Sequence, residues 1–357
     1  VNEERKMILD MLAERKITAE EAAELLRALG VATAGETASG AGAAPDDGYV
    51  AGSTAPGRPR TGPTPGKSIL EDFLGKLDID WSSLPLALGG EGYRFDEEHS
   101  GEFTSGGRIK LEFTARNGRV EVFGWDKPGW QVVLRKKIRA QSEERARERA
   151  DEVCRFVSGP DFLQFEELPT GWGTSGVSAE VHVPKDRQYE LVAVSSNGRI
   201  VVEEIKGTKL LGKTANGKVT VRGAVAQDVS LSTANGGIIF AGSANRLDCG
   251  TANGTINCCP VADANMDCRL HTSNGSIKVK LPESRSVGYD IDAHTSHGTI
   301  DVEVRDFEIS SEERQFGRRT IKGRSRDFAA RQTKVIVDAR TTNGSIRIVP
   351  AVAGEDC

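Results

Sequence analysis

Over most of its length after residue 93, the chain places apolar residues on alternate positions either side of a recurring Asn-Gly corner. Numbered by the corner residue, the copies stand at Asn197, Asn216, Asn235, Asn253, Asn274 and Asn343, with His297 in the same place in TSHGTI. An earlier relative, ARNGRV, centres on Asn117. Three residues after the corner come Ile200, Val219, Ile238, Ile256, Ile277, Ile300 and Ile346. Five after it come Val202, Val221, Phe240, Cys258, Val279, Val302 and Ile348, and six before it Leu191, Leu210, Val229, Leu247, Cys268, Ile291 and Val337. A period of two on both sides of a tight corner marks two half-buried strands per copy. Asn and Gly are expected at the corner because it demands positive φ.

Two architectures fit these columns. Each Asn-Gly could close a hairpin in an antiparallel β-sandwich. Alternatively, each copy is one coil of a parallel β-solenoid whose corners stack. Successive corners are 19, 19, 18, 21 and 23 residues apart, then 46 between His297 and Asn343, room for about two more coils. Near-constant length is what a solenoid requires and a sandwich does not, so the pattern favours a mainly β fold of 19–23-residue TxNGxI coils. Two positions before each of these corners lies Ser or Thr, and stacking predicts ladders of hydroxyls and amides along one edge. The less regular segment before Asn197 contains SEERARERADEVCRFV, a predicted surface helix over Ser142–Val157 that would help cap the open end.

The N-terminal pattern is different. Ile8, Leu9 and Leu12, then Ala22, Leu25, Leu26 and Leu29, repeat at helical spacing around a capping box of Thr18 and Glu21. Residues 1–30 thus read as a small α-hairpin, too short to bury a core alone and expected to pack on another copy, on the main domain or on a partner. Residues 31–67 have the Gly, Ala and Pro composition of a disordered linker. Residues 68–92 offer a short helix and connector, 93–350 the β-repeat domain and 351–357 a tail.

The repeated TxNGxI strands, the HSGEF…NGRVEVFGW entry and the VHVPKDRQYELVAVSSNG junction resemble the bacterial putative-adhesin family of β-strand-repeat proteins. The opening ILDMLAERKITAEEAAELLRAL resembles the short helical domain that precedes such repeats in Gram-positive envelope-stress proteins. The resemblance implies a β-repeat binding module of the cell envelope and supplies no catalytic residues.

Composition sharpens this picture only a little. The 357 residues include 40 glycines and carry a net charge of −5, which argues against nucleic acid as a partner. No apolar run reaches membrane-spanning length, and VNEERKMILDML has no apolar signal region. The expectation is a cytoplasmic or membrane-peripheral protein with its six cysteines reduced, the cell surface being the alternative.

Candidate chemistry is sparse. Cys249, Cys258 and Cys268 occupy apolar columns, and with Cys259 they lack the paired spacing of a zinc site, so they read as core. His271 and His294 share a column and His297 sits in a corner. Stacked coils could gather the three as metal ligands, although the same column holds Lys213, Ser232 and Arg340. The segment 314–334 carries Arg318, Arg319, Lys322, Arg324 and Arg326 with a single acidic residue, Asp327, a candidate anion site. No nucleophile, metalloprotease or phosphate-loop motif occurs. The sequence therefore points to a non-enzymatic binding or scaffold module without a cofactor, for a protein or a cell-envelope polymer. A carbohydrate-active enzyme on a β-helix is the alternative.

Overall fold

The computed structural model of the chain describes residues 91–169 and 175–351. By contacts the chain divides into Val1–Gly66 and Lys67–Cys357, and all described residues belong to the second unit. The expected hairpin, linker and short helix lie outside the described residues.

The N-terminal region runs β1 (Glu91–Gly101), β2 (Ile109–Ala115), β3 (Val120–Trp125), β4 (Trp130–Ala140), helix α1 (Glu143–Glu152), β5 (Cys154–Ser158) and β6 (Phe162–Glu167). The repeats follow as β7 (Ser175–Pro184), β8 (Tyr189–Ser195), β9 (Ile200–Glu203), β10 (Lys206–Asn216), β11 (Val219–Asn235), β12 (Ile238–Asn253), β13 (Ile256–Pro260), β14 (Met266–Asn274) and β15 (Ile277–Leu281). The last are β16 (Val287–His297), β17 (Ile300–Val302), β18 (Phe307–Gln315), β19 (Arg318–Ser325), β20 (Thr333–Asn343) and β21 (Ile346–Pro350).

Between successive Asn-Gly corners the pairing is parallel and in register. Leu210 faces Leu191 and Val229, Val229 faces Leu247, and Leu247 faces Cys268. After the corner, Val219 lies between Ile200 and Ile238, and Ile256 between Ile238 and Ile277. The fold is a parallel β-solenoid, and the hairpin sandwich is excluded. One wall comprises the strands that enter the corners, the other the strands that leave them. β11 serves both, turning between them at Gly223 with φ of 61°.

The apolar columns face one another between the walls. Ile200, Val219, Ile238, Ile256, Ile277 and Ile346 are fully buried, as are most residues of the other two columns. Val302, in the last coil of the stack, is only partly buried.

Coil order departs from chain order at both ends. The interval from His297 to Asn343 holds no further coils. It forms an antiparallel hairpin, β18–β19, which packs β19 against β16 and closes at Phe316 and Gly317, both with positive φ. The chain then returns, and β20 enters between β14 and β16 while β21 enters between β15 and β17. The last coil in sequence is therefore the penultimate coil of the stack. The N-terminal end repeats the device: β6 and β7 pair on the outer side of β2 and β3, and β8 and β9 on the inner side.

The cap is completed by the antiparallel strands β1 and β4 on one wall and by β5 beside β6 on the other. Helix α1 is shorter than the predicted 142–157, because Cys154–Ser158 finds a strand partner in β6. Ser142 caps it and Ala146 and Ala150 are its buried face. Lys136, 6 % exposed, donates to the Ala150 carbonyl at 2.7 Å and pairs with Glu97 at 2.6 Å. A cation at the last turn of a helix is favoured by the backbone dipole.

Candidate binding edge

The Asn-Gly corners build one continuous edge. Asn197 donates through Nδ2 to Asn117 Oδ1 at 2.9 Å, Asn216 to Asn197 at 2.8 Å and Asn235 to Asn216 at 2.8 Å. Asn253, Asn274 and Asn343 continue it at 2.9, 2.9 and 2.8 Å. His297 follows Asn343 in the stack. Each rung from Asn197 to Asn274 spends one of its two amide hydrogens and one acceptor site on its neighbours, so a second hydrogen and lone pair are left for solvent at a strand-to-strand repeat of roughly 4.8 Å.

Positive φ is not what selects Asn here. Among the described residues the non-glycine positions with positive φ are Glu204, Asp306, Phe316 and Asp327, none of them a corner Asn. Asn is needed for its side chain, which both donates and accepts. The glycine after it is needed first for space: a Cβ on Gly254 would stand 1.8 Å from the Gly236 carbonyl oxygen, and one on Gly198 1.8 Å from that of Gly118, while Gly275, Gly298 and Gly344 also have the expected positive φ.

The buried Ser/Thr column does not form a ladder of its own. Thr214 donates to the Gly198 carbonyl at 2.9 Å, Thr251 to Gly236 at 3.0 Å, Thr341 to Gly275 at 2.9 Å and Thr295 to Gly344 at 2.9 Å. Each hydroxyl thus ties its coil to the neighbouring corner. At the N-terminal end Glu167 lies beyond Ala115 in this column, and its Oε2 accepts from the Arg116 and Asn117 backbone N–H groups at 2.5 and 3.1 Å. Burial raises its pKa above the ordinary glutamate range, against the opposing effect of those backbone bonds.

The three histidines do not converge. Arg340 stands in register between His271 and His294, which are two strands apart, roughly 10 Å. His294 Nδ1 lies 2.9 Å from Thr320 Oγ1, and its pKa is lowered first by burial and then by Arg318 and Arg340. A guanidinium between the rings opposes a cation there. Among the described residues no group of three or more His, Cys, Asp or Glu could hold a metal.

The basic hairpin is largely neutralised by carboxylates outside the 314–334 segment, on β16 and on its own strand β18. Lys322 pairs with Asp292 at 2.8 Å, Arg324 with Asp290 at 2.8 Å, Arg326 with Glu308 at 2.9 Å and Arg319 with Glu312 at 3.2 Å. Arg318 is exposed and has no such partner among the described residues.

Cys249, Cys258 and Cys268 are free and fully buried. Burial raises the Cys249 thiol; contact with Cys258, then burial, raises that of Cys268. They are core, as their columns imply. Cys259 corrects the expectation of six reduced thiols, since it is disulfide-bonded.

Residues 176–349 match the family Toastrack DUF4097. The repeat region is Toastrack-like. Residues 3–32 match a SHOCT-like domain, and no curated protein matches the chain. Among solved structures, a putative cell adhesion protein from Clostridium sporogenes is 11% identical, with a TM-score of 0.34 over 72% of this chain and 100% of that one. A putative adhesin from Bacteroides fragilis is 10% identical, with a TM-score of 0.33 over 72% and 97%. No helix among the described residues is long and apolar enough to cross a membrane.

Proposed function

We propose that this Toastrack-like repeat is a non-enzymatic, adhesin-like binding or scaffold module that holds a polymer of the cell envelope along its amide edge. The ladder from Asn117 to Asn343 carries the reading: it is exposed, continuous and evenly spaced, and it consists of groups that hydrogen-bond without titrating. Hydrolysis of a glycan would need a proton donor and a second carboxylate facing one bond. The edge instead offers amides. The N-terminal segment that matches a SHOCT-like domain is, in this reading, a self-association or partner-binding module that adds avidity to weak contacts at each rung, in service of an envelope-stress response.

The test is incubation of the full chain with purified cell-wall glycan. Retention on the polymer without soluble fragments is the expected result, and retention should fall when Asn216, Asn235 and Asn253 are together replaced by Ser. Release of fragments would place the chain among the carbohydrate-active enzymes. Unchanged retention by the triple variant would remove the ladder from the account.

A further inference from the structure

The wall at the N-terminal cap carries an open groove of about 890 Å³, bounded by β1, β4, β7 and the Asn117 corner. Among the described residues its sides present Arg94, Arg119, Arg135, Lys137 and Arg139 against a single outward carboxylate, Asp96. Strand alternation produces this. In β4 the residues Leu134, Lys136, Ile138 and Ala140 point into the cap, which sends Arg135, Lys137 and Arg139 outward.

Register then gathers cations that are far apart in sequence. Lys137 lies opposite Arg94 on one side and Gly176 on the other, while Arg135 lies opposite Asp96 and Ser178. The Arg119 backbone N–H donates to Ser178 Oγ at 3.2 Å, which brings the third strand alongside. Gly176 leaves the floor bare between Lys137 and the corner; a Cβ there would stand 2.3 Å from the Asn117 carbonyl oxygen.

Only one of these cations is neutralised. Arg135 pairs with Glu180 at 2.6 Å. Among the described residues, Arg94, Arg119, Lys137 and Arg139 have no carboxylate within ion-pair distance. Arg149, at the last turn of α1, donates to the Arg139 carbonyl at 3.1 Å and adds its charge at the rim. The basic hairpin near the other end is the opposite case, with its charges mostly paired. Four like charges around a concavity repel one another, and a bound polyanion relieves that repulsion.

The lining narrows the ligand. Guanidinium forks match phosphate oxygens in pairs. Among the described residues no aromatic ring lines the groove, so they offer nothing on which nucleobases would stack. Its concavity suits a chain and not a flat lipid surface. We propose that this groove binds a flexible, base-free phosphate polymer, either a polyol phosphate or polyphosphate. The site meets the amide edge at Asn117 and is tested by different polymers and other side chains, so either can fail alone.

The experiment measures binding of the full chain to sodium polyphosphate and to a glycerol-phosphate polymer across a salt series. The variant R94Q/R119Q/K137Q/R139Q changes only exposed positions, and its thermal unfolding is followed alongside. A hairpin variant, R318Q/R324Q/R326Q, is the control. The expected result is binding by the native chain and a Kd at least tenfold weaker in the groove variant. The slope of log Kd against log salt should also fall by roughly three, while the hairpin variant binds as the native chain does. The polymer bound more tightly identifies the source of the phosphate. Failure of the native chain to bind either polymer would overturn the proposal. So would equal binding by the folded groove variant, or stronger binding of single-stranded DNA or phosphatidylglycerol vesicles than of both polymers.

Discussion

Asn343 donates to Asn274 at 2.8 Å across 69 residues of chain, with the same geometry that joins Asn216 to Asn197 across 19. The ladder does not register the difference. Its rungs follow position in the stack, and the C-terminal coil is held there by its amide, by the Thr341 hydroxyl and by two parallel neighbours on each wall.

Removing one rung costs two hydrogen bonds, because Asn235 both donates to Asn216 and accepts from Asn253. Asn235→Ala is expected to destabilise the repeat domain by about 1–2 kcal/mol in urea unfolding, given the modest net worth of exposed hydrogen bonds. Gly254→Ala should cost more, since its Cβ would meet backbone that cannot move aside. Equal effects would contradict the steric account of the glycine column.

Ile256 lies fully buried between Ile238 and Ile277. Ile256→Asp would place a carboxylate there without a partner, at a cost of several kcal/mol. Circular dichroism and proteolysis should show loss of the folded domain, whereas a stable variant would show that this column is not core.

Glu167 gives a pH test with a defined sign. Its pKa is raised in the folded state, so its contribution is fully present below the unfolded glutamate value near 4.3 and is lost as pH rises through the folded value. Glu97, Glu180 and Glu312 have lowered pKa values and act oppositely, losing their contribution as pH falls. Glu167→Gln keeps an acceptor oxygen for the Arg116 and Asn117 N–H groups. Its stability relative to the native chain should therefore rise as pH increases from 4 to 7, measured by denaturant unfolding at each pH. A constant difference would mean that the buried carboxyl does not titrate with folding.

A chain ending after Gln332 lacks β20 and β21 and leaves open edges on β14, β15, β16 and β17. Hydrogen exchange should lose protection over residues 266–302, beyond the removed segment itself. Protection retained there would mean that the two flanking coils close directly on one another.

Deleting residues 1–30 tests the self-association reading. Loss of oligomer together with loss of apparent polymer affinity is expected by sedimentation and retention assays. A gain of binding would instead show that the segment obstructs the repeat.

The core columns were legible because side chains alternate along a strand whatever its neighbour is. Ile256 and Ile346 had to share a face, and they do. Coil order was not legible: Val335, Val337 and Ala339 present the same alternation in any slot, and nothing local says that β20 lies beside β14. The corner glycines stand out in the sequence but suggest φ as their reason, because a sequence carries no trace of a carbonyl arriving from another coil. The charged run at 314–334 stands out through proximity, yet its partners Asp290, Asp292, Glu308 and Glu312 all lie outside it. The groove is hidden for the converse reason. Arg94, Arg119 and the pair Lys137 and Arg139 come from three separate stretches of chain, and only the outward alternation in RKKIRA gives a signal.

The position of the C-terminal coil also decides how the domain bears load. A pull entering through β1 acts on an edge strand whose single strand partner among the described residues is β4, and its hydrogen bonds can break in turn, as a zip opens. A pull entering through β21 acts on a strand flanked on both sides, and must shear both ladders at once. The two ends of the domain are thus unequal under load, and under tension the first strand gives way before the last.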